Sequence, residues 1–222
     1  MAPRLPAPDN GEAEVKILPT RYTVGLASQQ GFTLIEALIA FVILSVGLLG
    51  IVSLQAMAKT SQHLAIQHTR AVTIADAIVE RIRVNPGAMA DYNIGTTFVG
   101  GGTQTLSKDC HAAVCTQTEM AEYDLWAWEQ ALDGAGATIG GVNTAGLIQP
   151  RGCIQFTSVD PTNRPNTGQL RVTIQWRGLH ESYDAVQSTD TDIVICGGAA
   201  AGTDKFRRQV VTNTYVVDEK DF

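Results

Sequence analysis

Hydrophobic and polar positions divide the chain into stretches of different period. Residues 1–31 carry Pro3, Pro6, Pro8 and Pro19 among charges of both signs, with no sustained repeat. That pattern predicts an unfolded leader. From Phe32 to Leu54 the chain is apolar for 23 residues, and Glu36 is the single ionisable group in it. A helix of that length, rising about 1.5 Å per residue, reaches across a hydrocarbon core of about 30 Å. The run is longer than the apolar region of a secretory signal, and no Ala-x-Ala-like site follows it.

Past Leu54 the sequence becomes amphipathic without a helix breaker. Met57, Ser61, Leu64, His68, Ala71, Ala75, Ile78 and Ile82 recur at helical steps, while Gln55, Lys59, Gln62, Arg70, Asp76 and Glu80 point mostly elsewhere. One helix is therefore expected from Phe32 to Arg83, stopping at Asn85-Pro86-Gly87, with Arg81 and Arg83 in its last turn and Glu80 in reach of Arg83. Residues 87–116 read as a Gly-, Thr- and Asn-rich loop with a short strand near Thr97–Val99. Thr116-Gln-Thr-Glu119 is a capping box, and Ala121, Leu125, Trp128 and Leu132 follow at helical spacing until Gly134. Tyr123, Trp126 and Trp128 belong to that second, short helix, where aromatics at this spacing read as core.

After a second Gly-rich loop the period changes to two. Cys153–Val159, Leu170–Arg177, Ile193–Cys196 and Gln209–Val217 read as four strands in succession, an antiparallel meander with one buried face. The amphipathic half of the long helix is the natural cover for that face. The expected fold is α+β: a long N-terminal helix whose first half spans a membrane, packed on an antiparallel sheet of about four strands, with a short second helix and Gly-rich loops. Its divisions are a leader at 1–31, a transmembrane helix at 32–54, an amphipathic continuation at 55–85 and a globular head at 86–222.

Composition adds limits to this picture. The chain has 222 residues and a formal charge of −6, and the part beyond the apolar run is large enough for one domain with its own core. Lys205, Arg207 and Arg208 form a short cluster that reads as solvated surface, so no nucleic acid is expected. Lys16 and Arg21 before the apolar run balance Lys59 and Arg70 after it, so the positive-inside rule gives no orientation.

The four cysteines, Cys110, Cys115, Cys153 and Cys196, all follow the apolar run. They place the C-terminal part in an oxidising space, as disulfides with three conceivable pairings. Because Cys153 and Cys196 lie on or at the ends of two predicted strands, they are paired here, leaving Cys110 with Cys115. His111 lies inside the first pair, but no second close Cys or His pair completes a zinc set. Asp190-x-Asp192 and Asp218-Glu219-x-x-Asp221 lack the Gly and terminal Glu of a calcium loop. Asp76 and Glu80 find no third ligand nearby, and His68 reads as a core or interface histidine. Neither a metal nor a cofactor is expected. A membrane-tethered enzyme would need a nucleophile with a base, a phosphate loop or clustered metal ligands, and the sequence offers none of these.

Glu36 remains as the residue that demands an account, because a lone carboxylate in lipid costs several kcal/mol, about 3 or more, without a partner. Gly31-Phe-Thr-Leu-Ile-Glu36 at the head of the apolar run resembles the processing motif of type IV pilins and type II secretion pseudopilins. The resemblance implies that a prepilin peptidase cuts between Gly31 and Phe32 and that Phe32 is then N-methylated. It also implies that Glu36 neutralises the amino terminus of a neighbouring subunit. Leu54-Gln55, Arg70-Ala71, Ile74-Ala-Asp76, Arg81-Ile-Arg-Val-Asn-Pro86, Cys115-Thr and Met120-Ala-x-Tyr-Asp-Leu-Trp126-x-Trp128 are similar to the PilV, or type IV pilus modification protein, family of minor pilins.

That likeness implies a minor pilin that helps prime pilus assembly and sits in the tip complex. Its implied partners are the membrane, other minor pilins, the major pilin, the inner-membrane assembly platform, the peptidase and a tip adhesin. A type II secretion pseudopilin is the alternative within the same class. The leader departs from the family: it is long and carries no net charge, where family leaders are short and basic.

Overall fold

The computed structural model describes residues 31–181, 196–197 and 205–221. The chain forms two compact units, one ending at Leu49 and one running from Gly50. The long helix α1 (Leu34–Val84) begins in the first and ends in the second. In the first unit, Thr33 caps the helix: its carbonyl accepts from Ala37 N–H at 3.2 Å and its hydroxyl accepts from Glu36 N–H at 3.4 Å. Every side chain from Gly31 to Leu49 is exposed.

The second unit is an α+β head built on the later turns of α1. After Asn85 come a 3-10 turn (Pro86–Ala88) and the short helix α2 (Met89–Tyr92), which fill the start of the stretch read as loop. Helix α3 (Gln117–Asp133) starts and stops as its sequence dictates. Thr116 Oγ1 accepts from Glu119 N–H at 3.3 Å, the Glu119 carboxylate accepts from Thr116 N–H at 2.7 Å, and Gly134 ends the helix at φ 72°. A Cβ at Gly134 would also meet the backbone of Gly146 at 1.9 Å, so glycine is required there twice over.

A two-residue hairpin, β1 (Thr138–Ile139) with β2 (Val142–Asn143), precedes the main sheet. That sheet is antiparallel in the order β3 (Arg151–Asp160), β4 (Arg164–Arg177), β5 (Arg207–Val216). It corresponds to the first, second and fourth of the expected strands. Ile193–Ile195 of the third lies outside the described residues, and Cys196 sits in a turn. The expected strand near Thr97–Val99 is reduced to one antiparallel bridge, Val99 to Gly152.

Alternation along the strands sends Ile154, Leu170, Val172, Ile174, Trp176 and Val216 to the inner face, all buried. They meet Ala71, Ala75, Ile78, Val79 and Ile82 of α1 and Ala121, Leu125, Trp128 and Leu132 of α3 in one core. Trp128 also donates its indole N–H to Ile74 O at 3.2 Å, which ties α3 to α1.

The expected core stripe on α1 is corrected in its first half. Met57, Ser61 and His68 are exposed and Leu64 is half-buried, so burial begins at Gln67 and Ala71. The sheet and α3 cover only the turns beyond that level. His68 is therefore a surface residue, its ring edge-on to Trp176 with centroids 6.3 Å apart. One helix among the described residues, α1, is long and apolar enough to cross a membrane.

Candidate functional site

Gly31 and Phe32 lie ahead of the first helical turn, and both are exposed. Among the described residues, no heavy atom outside its chain neighbours lies within 4 Å of where a Cβ on Gly31 would stand. The peptide bond between Gly31 and Phe32 is exposed, and nothing among the described residues explains the glycine. Glu36 sits in the first turn of α1, where the N-terminal end of the helix favours a carboxylate. It is exposed within a band of exposed apolar side chains that includes Phe32, Leu34, Ile35 and Leu38. One chain by itself thus leaves this band uncovered and gives Glu36 no cationic partner among the described residues.

The head is locked to the end of α1 by a buried polar knot that sequence reasoning did not assemble. Asp124, on the core side of α3, accepts from Arg81 Nη1 at 2.9 Å and from the Tyr92 hydroxyl at 2.6 Å. Asn85 Nδ2 donates to Gln117 O at 2.8 Å and to the Tyr92 oxygen at 3.3 Å. Tyr92 has no exposed surface. Burial first, and then its bond to the Asp124 carboxylate, push its phenol above the ordinary tyrosine value. The available signal was Asp124 itself, a charge lying inside the apolar stripe Ala121, Leu125, Trp128.

One turn further on, Glu129 is fully buried and organises the Gly-rich loop. Its Oε1 accepts from Gly100 N–H at 3.0 Å, Thr103 N–H at 2.6 Å and the Thr103 hydroxyl at 2.7 Å, and its Oε2 from Gln104 N–H at 2.8 Å. Asp133 takes Gly101 N–H at 2.9 Å and Gly102 N–H at 3.2 Å. Gly100, Gly101 and Gly102 have φ of 137°, 77° and 78°, the left-handed region that lets successive amides turn toward the two carboxylates. The loop is thus pinned from α3, with its donors already spent.

The cysteines are paired Cys110 to Cys115 and Cys153 to Cys196, with Cα atoms 5.6 and 5.7 Å apart. Lys108 braces the first bridge by donating to Val114 O at 2.8 Å and to the Glu119 carboxylate at 2.9 Å. The Thr116 backbone bond, and then Lys108, hold the Glu119 carboxyl down at about 2. His111, inside the loop, lies edge-on to Tyr123 with centroids 5.4 Å apart. The second bridge leaves β3 on the outer side of the sheet, where its neighbours Thr173 and Gln175 are buried too. The outer face is therefore covered at that end, which alternation alone did not indicate.

Other polar candidates have structural partners. Glu80 receives Arg83 Nη1 at 2.6 Å, and Arg83 Nη2 donates to Thr214 Oγ1 at 2.6 Å. Asp218 and Asp221 accept from the side chain and backbone of Asn166, each at 3.0 Å. Asp190 and Asp192 lie outside the described residues. Among the described residues no three His, Cys, Asp or Glu side chains are grouped to hold a metal. Arg207 donates to Gln149 O and Arg208 to His180 O, both at 2.8 Å.

An apolar helix headed by an open Gly-Phe bond and a first-turn glutamate, followed by an α+β head on its later turns, is the architecture of the type IV pilin fold. The comparisons agree with that class. Residues 53–126 match the family model described as Type IV pilin Tt1218, and residues 26–52 match the prokaryotic N-terminal methylation motif. The two matches adjoin, and together they span the motif, α1 and the chain as far as the middle of α3. No curated protein and no solved structure matches the chain. The matches point to a structural pilin, not an enzyme.

Proposed function

We propose that the chain is a minor pilin of a type IV pilus, of the PilV kind, processed between Gly31 and Phe32 and N-methylated on Phe32. The observation that carries the reading is the match of the methylation motif across Gly31, Phe32 and Glu36 at the head of an exposed apolar run. In this reading residues 32–54 hold the subunit in the inner membrane and 55–85 continue the helix. Residues 86–222 fold in the periplasm, where the two disulfides suit the oxidising environment.

Removal of the leader frees an amino group on Phe32, and Glu36 then serves the amino terminus of a subunit already in the fibre. Apolar helices gain little from trading lipid for one another, so specificity comes from packing and from this charge pair. The implied partners are other minor pilins, the major pilin, the assembly platform and the peptidase. The proposed task is priming of assembly and a place in the tip complex beneath an adhesin.

The test replaces Glu36 by Val in the chromosomal copy. The precursor should still be shortened, while the protein disappears from sheared pili and no longer co-purifies with the other minor pilins. Wild-type incorporation of the variant would refute the assigned role. Gly31→Leu should leave the uncut precursor in the membrane, and a product of normal size would overturn the cleavage site.

A further inference from the structure

The outer face of the sheet carries a concavity that lies apart from Gly31, Phe32 and Glu36. It has a volume of about 650 Å³ and is lined by side chains from all three strands, within the range of about 300–1,000 Å³ of small-ligand sites. The register places Gln155, Arg171 and Asn213 in one row across β3, β4 and β5, and Thr157, Gln169 and Tyr215 in the next. Directly opposed residues share a face, so the six groups stand side by side on the outer surface. Arg171 Nε donates to Asn213 Oδ1 at 3.0 Å, which holds two of the planar groups in a fixed orientation. Tyr215 is 48% exposed beside them.

The composition of this patch selects its ligand. Arg171 is the one charged side chain among the described residues lining the concavity. The remaining polar groups are amides and hydroxyls, each able to donate and to accept. Sugar hydroxyls have the same dual character, and an amide satisfies two of them at once. Tyr215 supplies a rigid ring whose burial costs little side-chain entropy and whose face suits the C–H surface of a pyranose. Among the described residues the lining holds no carboxylate, the ligand that gives calcium sites their charge, so recognition here is expected to work without a bridging calcium.

We propose that this concavity binds a neutral saccharide, one or two hexose or N-acetylhexosamine units long, without a metal ion. The proposal stands apart from the fibre reading, since it rests only on the outer face of the sheet. Full-length protein in detergent micelles is applied to an array of neutral and acidic di- and trisaccharides, and the affinity for any neutral hit is measured with and without EDTA. The expected result is binding of a neutral glycan that EDTA leaves unchanged. Tyr215→Ala and Asn213→Ala should each weaken it at least tenfold, and Tyr215→Phe should stay within about threefold, because the ring is kept.

Unchanged thermal unfolding of the variants separates loss of the site from loss of the fold. The proposal is overturned by binding of no glycan, by binding that both alanine variants leave intact, or by binding that EDTA abolishes. A preference for acidic glycans alone, or occupation of the face by a second copy in place of sugar, overturns it equally.

Discussion

Replacing Asp124 by Ala tests whether the buried polar knot fastens the head to the end of α1. The substitution removes the acceptor of the Tyr92 hydroxyl, 2.6 Å away and fully buried, and the partner of Arg81, whose side chain is 44% exposed. A buried hydrogen bond to a charged group contributes about 1.5–3 kcal/mol. The half-exposed ion pair adds only about 0.5 kcal/mol after solvent screening. The variant should therefore lose about 2–3.5 kcal/mol. For a unit of this size that lowers the melting temperature by about 5–15 °C.

Thermal unfolding of the full chain in detergent, followed by circular dichroism, measures the shift. Tyr92→Phe in the Asp124→Ala background should recover part of the loss, since it removes the orphaned hydroxyl while Asn85 keeps Gln117 O. A melting temperature within 1 °C of wild type, or strict additivity of the two changes, would sink the argument. The pH dependence follows the same contact. Tyr92 keeps its proton in the fold above the ordinary value of about 10. Its contribution to stability is full below that pH and is lost as pH rises beyond it, because the unfolded chain ionises first. Wild type should lose more stability than Tyr92→Phe between pH 9 and pH 11, and equal losses would refute the assignment.

Three further outcomes are expected. Glu129→Gln turns one acceptor into a donor facing backbone N–H groups, so it should cost about 2–4 kcal/mol and raise amide exchange at Gly100, Thr103 and Gln104; unchanged protection there would contradict the pinning of the loop. Gly152→Ala sets a Cβ 2.4 Å from the Trp128 ring, which is itself tied to Ile74, and should cost about 1–3 kcal/mol; a neutral variant would show that the ring can move aside. Glu119 is held at about 2 against an ordinary 4.5, so its contribution is present above pH 4.5 and is lost as pH falls toward 2. Lys108→Met should shrink that acid-side loss, as read from denaturation at pH 5 and pH 3, and an unchanged loss would remove Lys108 from the account.

Several features were legible in the sequence because they depend on neighbours along the chain. The apolar run from Phe32, the capping box at Thr116, the stop at Gly134 and the alternation of Leu170 to Trp176 are all set by steric preference and short-range hydrogen bonding. The motif at Gly31, Phe32 and Glu36 is local in the same sense, and residues 26–52 match the N-terminal methylation motif by sequence alone. The depth of burial along α1 was not. Met57, Ser61 and His68 have the right period, yet only the height of the sheet and α3 against the helix decides that cover begins at Gln67.

The partners of Asp124 and Glu129 were equally hidden, since they come from α1, α2 and a glycine loop 25 to 43 residues away in sequence. The outer concavity needed the register of three strands to bring Asn213 beside Arg171. Sequence by itself determined the long apolar helix, the capped start and glycine stop of α3 and the alternating strands, because those properties are local. Tertiary structure decided which charges are buried and paired and which faces stay open, because long-range packing fixes which groups lose water and which find a partner when they do.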